Sequence, residues 1–131
     1  MKRTDVRKYT FKLLYLSEFY QGEELQNQYD IYFAELEDIK EKDIAEIKAR
    51  AQSVLDKTEQ IDAALNDASV NWSVDRMNKV DKAILRLAYY EIEFDGEVPG
   101  KVAVNEAVEL AKKYSSDNSP AFVNGILSKY I

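Results

Sequence analysis

Between Lys79 and Phe94, Val80, Ala83, Ile84, Leu87, Ala88, Tyr90 and Phe94 share one broad face when the stretch is drawn as a helix. Leu85 and Ile92 form a second apolar patch on its far side. A helix that is apolar on more than one side is normally buried among others, so this stretch is expected at the centre of the fold. The same spacing of three and four recurs elsewhere. It predicts a first helix over about Arg3 to Tyr20, with Val6, Thr10, Leu13, Ser17 and Tyr20 on one side. Gly22 breaks the pattern, and Leu25, Tyr29, Tyr32, Phe33 and Leu36 mark a second helix from about Glu24 to Leu36. Ile44, Ile47, Ala51, Val54, Leu55, Thr58, Ile61 and Leu65 predict a long third helix over about Asp43 to Asn66.

Val70-Asn71-Trp72-Ser73 opens the second half, and Ser73 is read as the N-cap of a short helix ending near Met77. The central helix follows and stops before Gly96, Pro99 and Gly100. A sixth helix is expected over about Val102 to Tyr114. A seventh runs from Pro120 to about Tyr130, with Ser119 as its N-cap. Nothing reads as a strand. The expectation is an all-α fold of about seven helices in one domain, residues 1–131, with sub-bundles of approximately 1–68 and 70–131. Two positions inside the helices invite explanation. Glu91 falls within the apolar face of the central helix and is read as a structural carboxylate that needs partners. Gly125 is read as a point where another helix backbone approaches closely.

Composition narrows the chemistry. The 131 residues contain no Cys and no His, which removes disulfides, thiolate chemistry, the usual general base and the commonest metal ligand. Glycine occurs only at 22, 96, 100 and 125, so there is no phosphate-cradling or dinucleotide-binding loop. Asp75 with Asp81, or Glu91 with Glu93, has no spacing specific to catalysis. No enzymatic activity, metal or cofactor is expected. No apolar run approaches a membrane span, and the N-terminal residues lack a secretory pattern. A cytoplasmic protein with no membrane partner is the expectation.

The net charge of −6 is unevenly distributed. Lys2, Arg3, Arg7, Lys8 and Lys12 against Asp5 give five cations less one carboxylate, or +4, in the first twelve residues, leaving −10 for the rest. On the first helix Arg7, Lys8, Phe11, Lys12 and Tyr15 lie within an arc of about 140°. Cations interleaved with rings suit single-stranded RNA, with phosphates meeting the cations and unpaired bases meeting the rings. The bland alternative is that Phe11 and Tyr15 pack against a neighbouring helix.

Three runs carry a family resemblance: Val80-Asp81-Lys82-Ala83-Ile84-Leu85-Arg86-Leu87-Ala88-Tyr89-Tyr90-Glu91, then Val98 to Lys112, then Phe122-Val123-Asn124-Gly125-Ile126-Leu127. In order and spacing they resemble the NusB family of bacterial transcription antitermination factors. The first 70 residues resemble it more weakly, through Arg3, Arg7 and Leu14-Tyr15. The resemblance implies three helices followed by four, and an adaptor in place of an enzyme. It implies binding to boxA-like single-stranded RNA together with NusE, a small-subunit ribosomal protein, within an RNA polymerase antitermination complex on ribosomal RNA operons. By the same resemblance Lys2, Arg3 and Arg7 touch RNA, with Lys8 and Lys12 extending the cationic face and Phe122 offering a stacking edge. Tyr15 and Asp81 are implied to contact NusE. Lys12 stands where the family usually has glutamine, and Asn118-Ser119-Pro120-Ala121-Phe122 replaces a more charged loop. Weak RNA affinity by the chain alone is therefore expected. Two other classes remain: a self-associating module whose homodimer covers the RNA face, and the regulatory domain of an RNA cytosine methyltransferase whose catalysis lies in another chain.

Overall fold

The structure, a computed structural model, describes residues 1–69 and 71–131. Val70, read as opening the second half, lies outside the described residues. Among the described residues there are seven α-helices, two short 3₁₀ turns and no strand. They divide into two units, Met1–Leu55 and Asp56–Ile131.

The first unit holds α1 (Arg3–Leu16), α2 (Gly22–Ala34) and α3, which spans Glu41–Asp56. Its core is the predicted stripe: Val6, Leu13 and Leu14 of α1, Leu25, Tyr29 and Phe33 of α2, and Ile47, Ala51 and Val54 of α3. Burying each leucine contributes about 2 kcal/mol. Thr10 belongs to that stripe because its hydroxyl donates to the Val6 carbonyl at 2.8 Å, leaving only its methyl to pack. α1 stops four residues earlier than the pattern suggested. Gly22 begins α2 at φ +57, a left-handed backbone that a side chain would disfavour. Arg3 with Glu46 at 2.7 Å and Lys48 with Asp30 at 2.8 Å tie α3 to its two neighbours.

The long third helix expected over 43–66 is two helices. α3 ends at Asp56, Lys57 takes φ −107 and ψ 8, and α4 runs over Thr58–Ala68. The apolar spacing continues across the break without a shift in phase, and no Gly or Pro marks it. The short helix expected after Ser73 is a 3₁₀ turn, Val74–Arg76, and the Ser73 side chain makes no cap. The turn is held instead by the Val74 N–H donating to Asn66 Oδ1 at 2.8 Å. Two revisions thus cancel in the count of seven.

The second unit is built around α5 (Lys79–Glu93), which packs against α4, α6 (Gly100–Tyr114) and α7 (Ser119–Leu127). Ala83, Ile84, Leu85, Leu87 and Ala88 are buried, so the middle of both apolar patches of α5 is covered, while Ile92 is half-buried and Phe94 is 38% exposed. Glu91 is buried too and does not stand without a partner. Arg86 grips Asp62 of α4 through two parallel bonds, Nε to Oδ1 at 2.9 Å and Nη2 to Oδ2 at 2.7 Å. Such a fork fixes orientation as well as charge. A second 3₁₀ turn, Ser128–Tyr130, is pinned to α4 by Lys129 donating to the Ala68 carbonyl and Tyr130 Oη donating to the Ala64 carbonyl at 2.8 Å. Among the described residues no helix is long and apolar enough to cross a membrane.

Candidate functional site

The sequence-predicted residues fall into two groups, one in each unit. In the first unit, α1 sets out its cations unevenly. Lys2 and Arg3 are exposed, Lys8 and Lys12 are half-buried, and Arg7 is only 9% exposed. The Lys8 ammonium lies 4.6 Å from the Tyr9 ring centroid, which steadies it at the surface. Asp5 has a structural task inside the basic cluster: its carboxylate accepts the Lys2 backbone N–H at 3.4 Å, in the first turn where a negative charge suits the helix dipole.

Phe11 corrects the expected face. It is 4% exposed and belongs to the core, so of the two rings assigned to the cationic arc only Tyr15 stays near the surface. Tyr15 meets Phe19 edge-to-face, with centroids 5.2 Å apart and planes at 72°. Phe19 is among the most exposed large apolar side chains and extends the surface on which Tyr15 sits. Phe19 lies outside the apolar stripe of the first helix, so the pattern does not single it out. Its position four residues after Tyr15 is the signal that pairs them.

In the second unit Asp81 lies at the start of α5, where Asn78 caps the helix: Asn78 Oδ1 accepts the Asp81 N–H at 2.7 Å. Asp81, implied by the resemblance to contact NusE, is only 5% exposed. Its carboxylate accepts three further bonds, from Ser115 Oγ at 2.6 Å, Ser119 Oγ at 2.9 Å and Asn78 Nδ2 at 3.1 Å. Ser116 and Ser119 hydroxyls lie 2.9 Å apart and complete the cluster. One buried carboxylate thus joins the start of α5 to the turn before α7. That turn sets the place of Phe122, which is half-buried.

Phe122 and Asp81 line a groove of about 780 Å³, together with Trp72, Arg76, Met77 and Ile126. Gly125 lines it as well, which corrects the reading of that residue. A Cβ built on Gly125 meets nothing within 4 Å, so no helix presses against it and the space beside it is open. Trp72 stands 45% exposed at the rim, with the Arg76 guanidinium 5.1 Å from its ring. Neither residue was singled out from the pattern, because Trp72 sits in a polar linker outside every helical stripe.

The NusB family model matches residues 4–131. The chain belongs to the NusB family. The match takes in α1 to α3, where the sequence motifs alone were weak. A transcription antitermination protein NusB of Lachnoclostridium phytofermentans is 47% identical over 131 residues, covering 100% of this chain and 99% of that protein. The NusB protein of Agathobacter rectalis is 42% identical over 130 residues, with 99% of each covered. Among solved structures, NusB of T. maritima superposes with a TM-score of 0.84 at 32% identity, over 99% of this chain and 90% of that one. A crystal structure of the antitermination factors NusB and NusE in complex with double-stranded RNA gives 0.81 at 26% identity, over 98% and 94%.

Proposed function

We propose that this protein is a transcription antitermination factor that acts as a non-enzymatic adaptor in the cytoplasm. It binds boxA-type RNA together with NusE and helps RNA polymerase resist termination. Membership of the NusB family over residues 4–131 carries this reading, and the solved NusB–NusE–RNA assembly supports it. Lys2, Arg3, Lys8 and Lys12 meet phosphates, and Arg7 braces α1 from its more buried position. Phe122 offers a ring to a base. Tyr15, backed by Phe19, and Asp81, set by Asn78, Ser115 and Ser119, form the surfaces that NusE reads. Asp81 contributes chiefly by holding the α5 and α7 ends in place, since its own oxygens are engaged.

Gel mobility shifts with a boxA RNA and a scrambled RNA, each with and without NusE, test the proposal. A shift specific to boxA and strengthened by NusE is expected. Absence of a shift in every condition, or equal shifts with the scrambled RNA, would overturn it. Light scattering at several concentrations separates a monomeric adaptor from a homodimer that covers the RNA face.

A further inference from the structure

The far end of α5 carries a surface that core packing does not require. Tyr89 stands between Tyr130, with ring centroids 4.9 Å apart, and Phe94, at 6.2 Å, both edge-to-face. The three rings form a row on the outside of the second unit, with Tyr89 and Tyr130 half-buried and Phe94 exposed. Tyr130 is held in that row by its hydroxyl, which donates to the Ala64 carbonyl at 2.8 Å. Phe94 follows the last helical residue, where the cap uses only its backbone N–H, donated to the Tyr90 carbonyl. Anionic groups border the rings. The last turn of α5 carries Glu91 and Glu93 and no cation, although a helix C-terminus favours positive charge. Glu93 and Asp67 are exposed, and both act on the row. Burial first, then the neighbouring Tyr89, then Asp67 and Glu93 raise the pKa of Tyr130. Burial followed by Glu93 raises that of Tyr89. One cation already uses the row: the Lys57 ammonium lies 5.3 Å from the Phe94 ring centroid, within reach of a cation–π attraction.

Aromatic rings present a negative face, and the carboxylates and the helix end add to it, so the complementary group is a cation. A guanidinium suits it best, because it stacks flat on a ring while its N–H fork reaches a carboxylate. A free small cation is held by rings that surround it. These rings stand in an open row, which covers one side of a guest and leaves the rest to neighbouring contacts. We propose that this row docks an arginine-bearing segment of a protein partner, with Phe94 as the ring that takes the guanidinium, Glu93 as its carboxylate and Lys57 as the internal cation that it displaces. Asp81 lies thirteen residues back along α5, about 20 Å at the rise of a helix. The row is therefore a second protein contact, separate from the residues assigned to NusE. It extends the adaptor reading by one partner and does not depend on RNA.

Titrating the isotope-labelled full chain with the peptide acetyl-Arg-Ala-Arg-amide tests this by NMR. Amide signals should move saturably at Tyr89, Glu93, Phe94 and Tyr130 and stay in place at Tyr15 and Asp81. The same peptide with glutamines for its arginines should move none of them. Phe94→Ala and Glu93→Gln should each weaken binding by about threefold, the scale of one exposed cation–π contact or ion pair. Lys57→Gln should tighten it by a similar factor, because the Phe94 face is vacated. A contact between Lys57 and Phe94 that served structure alone would give no such gain. Circular dichroism checks that each variant is folded. Shifts elsewhere or nowhere, or unchanged or weaker binding in Lys57→Gln, would overturn the proposal. So would spermidine displacing the peptide at a lower concentration than the peptide itself needs, which would make a free polyamine the occupant. Movement of the same amides by NusE alone would fold the row into the NusE surface and overturn it too. Phe94→Ala and Glu93→Gln should leave the boxA mobility shift unchanged, so failure of this proposal and failure of the RNA reading are told apart.

Discussion

Arg3 and Lys8 each place one cation at the surface of α1, and each should account for about one phosphate. For a single strand, a neutralised phosphate contributes about −0.7 to the slope of log K against log salt. Four such contacts predict a slope of about −3, and Arg3→Ala or Lys8→Ala should flatten it by about 0.7 each in filter-binding titrations across salt. Arg3 must leave Glu46 to do so, an exposed pair that costs little to open. An unchanged slope in both variants would place the RNA elsewhere. Tyr29 offers a second residue-scale prediction, on stability. Its hydroxyl is buried with no hydrogen-bond partner among the described residues, and burial pushes its pKa up to about 12. Tyr29→Phe should therefore raise the unfolding free energy by about 1 kcal/mol in urea. The sign of the pH effect follows. The unfolded chain ionises near pH 10 while the folded one resists until about 12, so stability is full below pH 10 and falls as pH rises toward 12. Tyr130 and Tyr89, both raised chiefly by burial, act in the same direction. Tyr29→Phe should make the alkaline loss shallower, and an equally steep loss would contradict the assignment.

At the scale of elements, the join between α5 and α7 is the piece on which the second unit's site depends. Asn78→Ala removes a helix cap and should cost about 1 kcal/mol. Asp81→Ala should cost more, about 2 kcal/mol, because Ser115 and Ser119 lose the charged acceptor they share. Chemical denaturation of the two variants orders them, and a smaller loss for Asp81→Ala than for Asn78→Ala would contradict the network. The same elements show what the sequence can and cannot carry. The three-four spacing placed α1, α2, α5, α6 and α7 because each buries one side against its own unit. It ran straight through Lys57 because a bend in the bridge region needs no special residue and left the apolar phase intact. On α1 the wheel put Phe11 among cations, since angular position says which residues share a face and not which faces are covered. Asp81 reads as an ordinary first-turn acid until the serines that surround it, more than thirty positions away, are brought beside it by folding. The groove was illegible for the same reason: Trp72, Phe122 and Gly125 lie on three separate stretches.

For the whole molecule, charge and family membership agree. A chain of net −6 that gathers five cations at its start repels polyanions at a distance and admits them at close range. Such a chain should bind RNA weakly by itself, and more tightly once a partner supplies further contacts. The direct measurement of that coupling is the affinity for boxA RNA, read by fluorescence anisotropy of labelled RNA at moderate salt, with NusE absent and then saturating. An adaptor requires NusE to tighten boxA binding by at least about fivefold, the lower end of ordinary coupling between sites, with no such gain for a scrambled RNA. Equal affinity with and without NusE, or an equal gain for the scrambled sequence, would contradict the account.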